Sequence, residues 1–207
     1  IKRAFLAMLL RANARRLRQH LAVDWEGKLR GAAWDRIWQL VVIPYYREEE
    51  DVIRETLTAL RDAKWPKDRM LVVLAREERA GRDAALVAET MQREFAHIFR
   101  GFLVTEHPAN VPGELPGKGS NIACAAREAV RMLVDARGIP HKNVLVSAFD
   151  SDTRVYPQYF LCLTYYALAA QPPHRSSFQP VPVYNNNIWE APAFSRVVAT
   201  AGTFWQM

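Results

Sequence analysis

Four short apolar runs, each bounded by turn-forming residues, are separated by stretches in which apolar positions recur every three or four residues. The runs are "LVVI" (40–43), "MLVVLA" (70–75), "GFLVT" (101–105) and "NVLVSAF" (143–149). They are rich in β-branched residues, the pattern of strands buried on both faces. Between them, residues 49–64 place Val52, Ile53, Leu57 and Leu60 on one helical face and end before Pro66, which cannot continue a helix. Residues 82–99 repeat the pattern with Ala84, Val87, Ala88, Met91, Phe95 and Ile98. Residues 120–136 do so with Ile122, Ala126, Ala129 and Leu133, from a Ser120 cap to a stop before Gly138. This alternation predicts an α/β fold, a mainly parallel sheet flanked by helices. Pro172, Pro173, Pro180 and Pro182 mark a loop before a fifth strand around "SFQPVPVY".

Residues 1–38 have a different character. They carry Trp25, Trp34 and Trp38, no proline, and glycine only at Gly27 and Gly31, and they read as helix. The expected organisation is therefore a basic, tryptophan-containing helical segment over 1–38 and an α/β domain over 39–207.

Charge sharpens that division. The 207-residue chain has a net charge of +6, and residues 1–30 hold eight Lys and Arg against Asp24 and Glu26, while the remainder is balanced. A protein that grips nucleic acid spreads basic residues over the face that meets phosphate, so this distribution argues against nucleic acid as a partner. A local basic tail suits an anionic membrane surface better. "AFLAMLL" (4–10) is far shorter than the roughly 20 apolar residues that span a bilayer. With Arg11, Arg15, Arg16 and Arg18 behind it, it reads either as a membrane element, the last turns of a span or the apolar face of an interfacial helix, or as a solvated basic helix packed on the domain. An Ile at the start and "GTFWQM" at the end suggest a fragment. Cys124 and Cys162 have neither CxxC nor CxxH spacing and read as buried thiols in a reducing compartment.

In open α/β sheets, ligands bind at the carboxyl ends of the strands, so candidate chemistry is sought there. The first strand leads into "PYYREEE". Acidic residues in a first helical turn complement the helix dipole, but Pro44 and Tyr45 suggest a rigid backbone and a flat ring suited to a nucleobase or ribose. The second strand leads into "LAREERAG", where Glu77 and Glu78 are either loop charges or hydrogen-bond acceptors for a base or ribose.

The third strand leads into "HPANVPGELPGKGSN". The Walker pattern requires four residues between its glycines and Ser or Thr directly after the lysine, which this loop lacks. It retains a Gly-rich approach, Lys118, and a helix start at Ser120 and Asn121, which together favour an anion such as a diphosphate. His107 and Glu114 serve either in this site or as loop hydrogen-bonders. The fourth strand ends in "SAFDSDT", with Asp150 and Asp152 two apart and on one side of an extended segment. Two neighbouring carboxylates suit a hard divalent cation such as Mg²⁺.

Taken in order from about Gln39 to Tyr166, these strand ends resemble the family-two glycosyltransferases, inverting enzymes of GT-A fold that include cellulose and hyaluronan synthases. "VVIPYYREE" resembles the family's opening strand with its P-Y-N-E, Arg47 standing for the usual Asn. "PGKGSNIACA" resembles its G-K-x-x-A-x-N stretch, and "FDSDT" its DxD. The resemblance implies a GT-A, Rossmann-like fold and places Pro44, Tyr45, Glu48, Glu77, Lys118, Asn121 and Asp150 against the donor. It makes Asp152, with Asp150, the ligand of Mg²⁺ or Mn²⁺. The second strand departs from the family in ending in "AREE" rather than Asp residues.

The implied reaction is transfer of a sugar from a nucleoside-diphosphate sugar, a UDP-sugar first, to a hydroxyl of a glycan or lipid acceptor at the cytoplasmic face of a membrane. The catalytic base and the Q-x-x-R-W motif of the membrane synthases are expected beyond Met207, in a full-length form with further spans. "QPVPVYNNNIWEAPAFSRV" (179–197) is a candidate acceptor surface, lid or core segment. Two rival functions share the site. A nucleotidyltransferase would form pyrophosphate from a nucleoside triphosphate, and its glycine-rich signature after the first strand is absent here. A membrane-docked module would bind a nucleotide without catalysis.

Overall fold

The structure, a computed structural model, describes residues 11, 14–171 and 175–180. All four expected strands form: β1 (Trp38–Tyr45), β2 (Met70–Glu77), β3 (Gly101–His107) and β4 (Val144–Ala148). Every pairing is parallel, in the order β3-β2-β1-β4. β2 and β3 extend beyond their apolar runs because their ladder continues to the Glu77–His107 pair.

The helices are α1 (14–21), α2 (Trp25–Leu29), α3 (Glu50–Asp62), α4 (Arg82–Phe95), α5 (Lys118–Ala129) and α6 (Tyr159–Ala169). After Ala129 the chain winds on through a π-helical turn, Val130–Val134, and a 3₁₀ turn, Asp135–Arg137. Gly138 closes it at φ +62°, the left-handed conformation that glycine adopts without penalty.

Alternation along the strands sorts two cores. Val41, Ile43, Tyr45, Val72 and Leu74 meet Ile53, Leu57 and Leu60 of α3, Met91 and Phe95 of α4, and Phe160 of α6. On the opposite face Leu40, Val42, Leu71, Val73 and Ala75 meet Ala125 and Ala129 of α5, with Leu133 beyond it. A fully buried side chain such as Leu57 contributes about 1.5–3 kcal/mol. The chain steps outward from β1 to β3 with α3 and α4 on one face, then returns to the other side of β1, so right-handed crossover puts α5 on the opposite face. The strand order therefore reverses between β1 and β4. This four-stranded, all-parallel sheet flanked by helices is compatible with a Rossmann-like fold.

A continuous helix through residue 38 does not form among the described residues. Asp24 accepts the Gly27 N–H at 2.9 Å and starts α2 afresh. Gly31 turns the chain at φ +79°, and Trp38 already belongs to β1. Trp25 and Leu29 are 4% and 2% exposed and join the core of the α/β layers, packing toward α6 through Tyr165 and Tyr166. Residues 25–38 thus contribute to the same core as the sheet. Buried Gln39 adds a polar tie, its Nε2 donating to Thr164 Oγ1 of α6 at 2.9 Å.

Among the described residues no helix is long and apolar enough to cross a membrane. Cys124 and Cys162 are free thiols but only partly buried, less enclosed than expected. Burial pushes the Cys162 thiol up to about 11. The apolar run at 4–10 and everything from residue 181 onward, including most of the fifth-strand segment and of the 179–197 stretch, lie outside the described residues. Residues 176–180 are irregular.

Candidate functional site at the strand ends

The carboxyl ends of β1 and β4 lie side by side where the strand order reverses, and one carboxylate joins them. Glu48 folds back on its own turn, its Oε2 accepting the N–H groups of Tyr46 at 2.6 Å and Arg47 at 3.0 Å. Its Oε1 accepts the Ser151 hydroxyl at 2.9 Å. Burial pushes the Glu48 carboxyl up, but hydrogen bonds from the Tyr46 N–H, the Ser151 hydroxyl and the N–H groups of Glu48 and Arg47 outweigh it and hold the group below its ordinary value.

Ser151 sets the geometry of the two aspartates. Its side chain is 7% exposed and turned inward, and its carbonyl accepts the hydroxyl of fully buried Thr56 at 2.6 Å. The Thr153 N–H closes a turn on the Asp150 carbonyl at 3.0 Å. Asp150 thus opens a turn and Asp152 lies within it, so the segment is not the extended strand end expected, and both residues are exposed. The bond from the Thr153 N–H to the Asp150 carbonyl is what turns the chain here.

Lys118 comes to the same place from the third strand's loop. α5 begins at Lys118 with Gly117 as its cap, two residues before the expected Ser120 start. Ser120 instead donates its hydroxyl to the Leu115 carbonyl at 2.6 Å. Lys118 thus stands in the first helical turn, where N–H groups lack intrahelical partners and anions are favoured. Its ammonium is paired with Asp150, both groups more than half exposed.

The other expected site residues are internal. Tyr45 shares its face with Val41 and Ile43, is 3% exposed, and donates its hydroxyl to the Ala84 carbonyl of α4 at 2.5 Å. Burial raises its phenol well above the usual range. Pro44 is buried opposite Ala75 in the ladder. Glu77, 4% exposed, is paired with Arg79. Asn121, 1% exposed, donates Nδ2 to the Ala75 carbonyl at 2.9 Å and so fastens the first turns of α5 to the end of β2. Its buried Oδ1 has no hydrogen-bond partner.

The partly open ring at this end of the sheet belongs to Tyr46. Its ring carries the guanidinium of Arg47 at 4.9 Å and that of Arg79 at 4.7 Å, a cation–π arrangement. Strand alternation contained this signal, since apolar 41 and 43 on one face send 45 inward and 46 outward. Ser151 had a fainter one, a small polar residue between two acidic ones at a strand end.

Chemically, the cluster offers an ammonium, a helix N-terminus and two exposed carboxylates. Magnesium is held by one or two carboxylates together with substrate phosphates and water. Among the described residues no group of three or more His, Cys, Asp and Glu is gathered. Asp150 and Asp152 are of the oxygen-donor type that a hard cation takes. No protein-family model matches the chain. No curated protein matches it either.

Proposed function

We propose that this chain is the donor-binding part of a metal-dependent, inverting glycosyltransferase of GT-A type, similar to the family-two enzymes, acting on a nucleoside-diphosphate sugar. The observation that carries the reading is the meeting of Lys118 and Asp150 beside the Glu48–Ser151 link, where β1 and β4 diverge. Ligands of open α/β sheets bind at that crevice.

In this reading the base lies on Tyr46, between the two arginines, and the diphosphate reaches the first turn of α5. Lys118 exchanges Asp150 for phosphate and offsets charge that grows on the departing nucleoside diphosphate. Asp150 and Asp152 hold Mg²⁺ or Mn²⁺, which supplies further neutralisation of that charge when bound. Glu48, Ser151 and Asn121 act from inside by fixing the turns that carry these groups. The acceptor is a glycan or lipid hydroxyl, and the base that deprotonates it is not among the residues assigned here. The basic N-terminal segment attaches the protein to the cytoplasmic face of a membrane.

Calorimetry with UDP, GDP and their sugar conjugates, in Mn²⁺ and then in chelator, tests the donor site. Metal-dependent binding that favours one base is the expected result. A folded sample that binds none of them would overturn the reading.

A further inference from the structure

The loop between β3 and α5 is held at points that the nucleotide reading leaves unused. His107 closes β3 with 5% exposure, and its Nε2 lies 2.9 Å from Oε2 of Glu114 in the middle of the loop. The other oxygen of Glu114 faces the guanidinium of Arg127 on α5 at 3.5 Å. Glu114 is thus shared between the end of a strand and the body of the helix, and only three residues separate it from Lys118.

The surrounding loop explains why such a tie matters. Asn110, Gly113 and Gly117 take φ values of +59°, +81° and +145°, and Pro112 and Pro116 are interspersed. This backbone makes few ladder or helix bonds of its own. Its course is fixed by scattered contacts: the Ala109 N–H donates to Glu78 Oε2 at 2.7 Å, the Glu114 N–H to the Val111 carbonyl at 3.2 Å, the Glu114 side chain meets His107 and Arg127, and the Leu115 carbonyl receives Ser120. Among the described residues, the His107–Glu114 contact is what links the loop's centre to the buried sheet edge, since His107 pairs with Glu77 in the ladder.

We infer that His107 and Glu114 are positioning residues for anion binding: their contact sets the path of residues 108–117, and through it the place of Lys118 and the first turn of α5. The inference rests on the proposed diphosphate site. Neither side chain touches the ligand. With the contact broken, the loop samples other paths, and Lys118 reaches phosphate only from a fraction of them. Apparent affinity falls in proportion to that fraction.

The test compares UDP with uridine on the purified chain. Glu114→Ala and His107→Ala are each expected to weaken UDP about tenfold, the size of one charge-assisted hydrogen bond, while uridine affinity stays unchanged. The double variant loses no more than Glu114→Ala alone, because that variant already removes the His107 contact. His107→Gln, whose amide nitrogen replaces imidazole Nε2, restores most of the affinity. In a Lys118→Ala background, Glu114→Ala costs less than it does in the unaltered protein.

A purely structural role would lower UDP and uridine affinity together, and that outcome overturns the inference, as does additive loss in the double variant. If the unaltered protein binds neither compound, the nucleotide reading itself fails and the inference with it. If it prefers UDP to uridine and Glu114→Ala keeps that preference in full, the positioning role alone is wrong.

Discussion

Tyr45 and Tyr46 are adjacent, chemically identical and opposite in role, because a strand sends successive side chains to opposite faces. Tyr45 is 3% exposed and spends its hydroxyl on the Ala84 carbonyl, whereas Tyr46 keeps a partly open ring between two guanidinium groups. Tyr45→Phe removes a buried hydrogen bond to a carbonyl that α4 also uses and is expected to cost about 0.5–1.5 kcal/mol of unfolding free energy, read by denaturant titration, with UDP affinity unchanged. Tyr46→Ala removes a stacking surface and is expected to weaken uridine and UDP alike by about 1–3 kcal/mol. Uridine affinity that survives Tyr46→Ala, or falls in Tyr45→Phe, would reverse the assignment. The sequence made the residue types at the strand ends plain. It left their directions to be worked out from strand parity, and "PYYREE" offers two aromatic rings to choose between.

At the scale of elements, the site depends on two turns that face each other across the strand reversal, and Glu48 is the link. Its carboxyl is held below its ordinary value, so its folded-state pKa lies under its unfolded one. Such a group contributes stability that is complete above the unfolded pKa and is lost as pH falls through the folded one. The stability difference between wild type and Glu48→Gln is therefore expected to be full at neutral pH and to shrink below about pH 4, where free glutamate titrates. Denaturant unfolding across a pH series checks this, and a difference that stays flat to low pH would mean the carboxylate form makes no special contact. Strands and helices were legible because burial on both faces and 3.6-residue periodicity leave strong patterns. The Glu48–Ser151 link was not, since it joins residues 103 apart in sequence and each alone is ordinary in a turn. The start of α5 was misplaced for a related reason: Ser120 has the chemistry of a cap but turns back to Leu115, so the helix begins two residues earlier.

For the molecule as a whole, charge and core divide the N-terminal region at different points. Six of the eight basic residues of 1–30 precede residue 22, while the first large core residues, Trp25 and Leu29, follow it. Cutting a buried Trp back to Ala typically costs about 3–5 kcal/mol, a large share of the 5–15 kcal/mol that holds an ordinary domain together. α2 is thus part of the fold, and the proposed membrane attachment concerns the basic residues before it. A polybasic segment gains about 1 kcal/mol per Lys or Arg near an anionic bilayer, an attraction that salt screens. Deleting residues 1–21 is therefore expected to leave cooperative unfolding within about 1 kcal/mol of the intact chain, while binding to phosphatidylserine-containing vesicles at low salt is lost. Deleting residues 1–30 also removes Trp25 and Leu29 and is expected to abolish a cooperative transition. Thermal unfolding and vesicle co-sedimentation on both truncations separate the two roles. Vesicle binding that survives the shorter deletion would remove the basis for membrane attachment through this segment, and a stable protein after the longer one would show that α2 is an appendage.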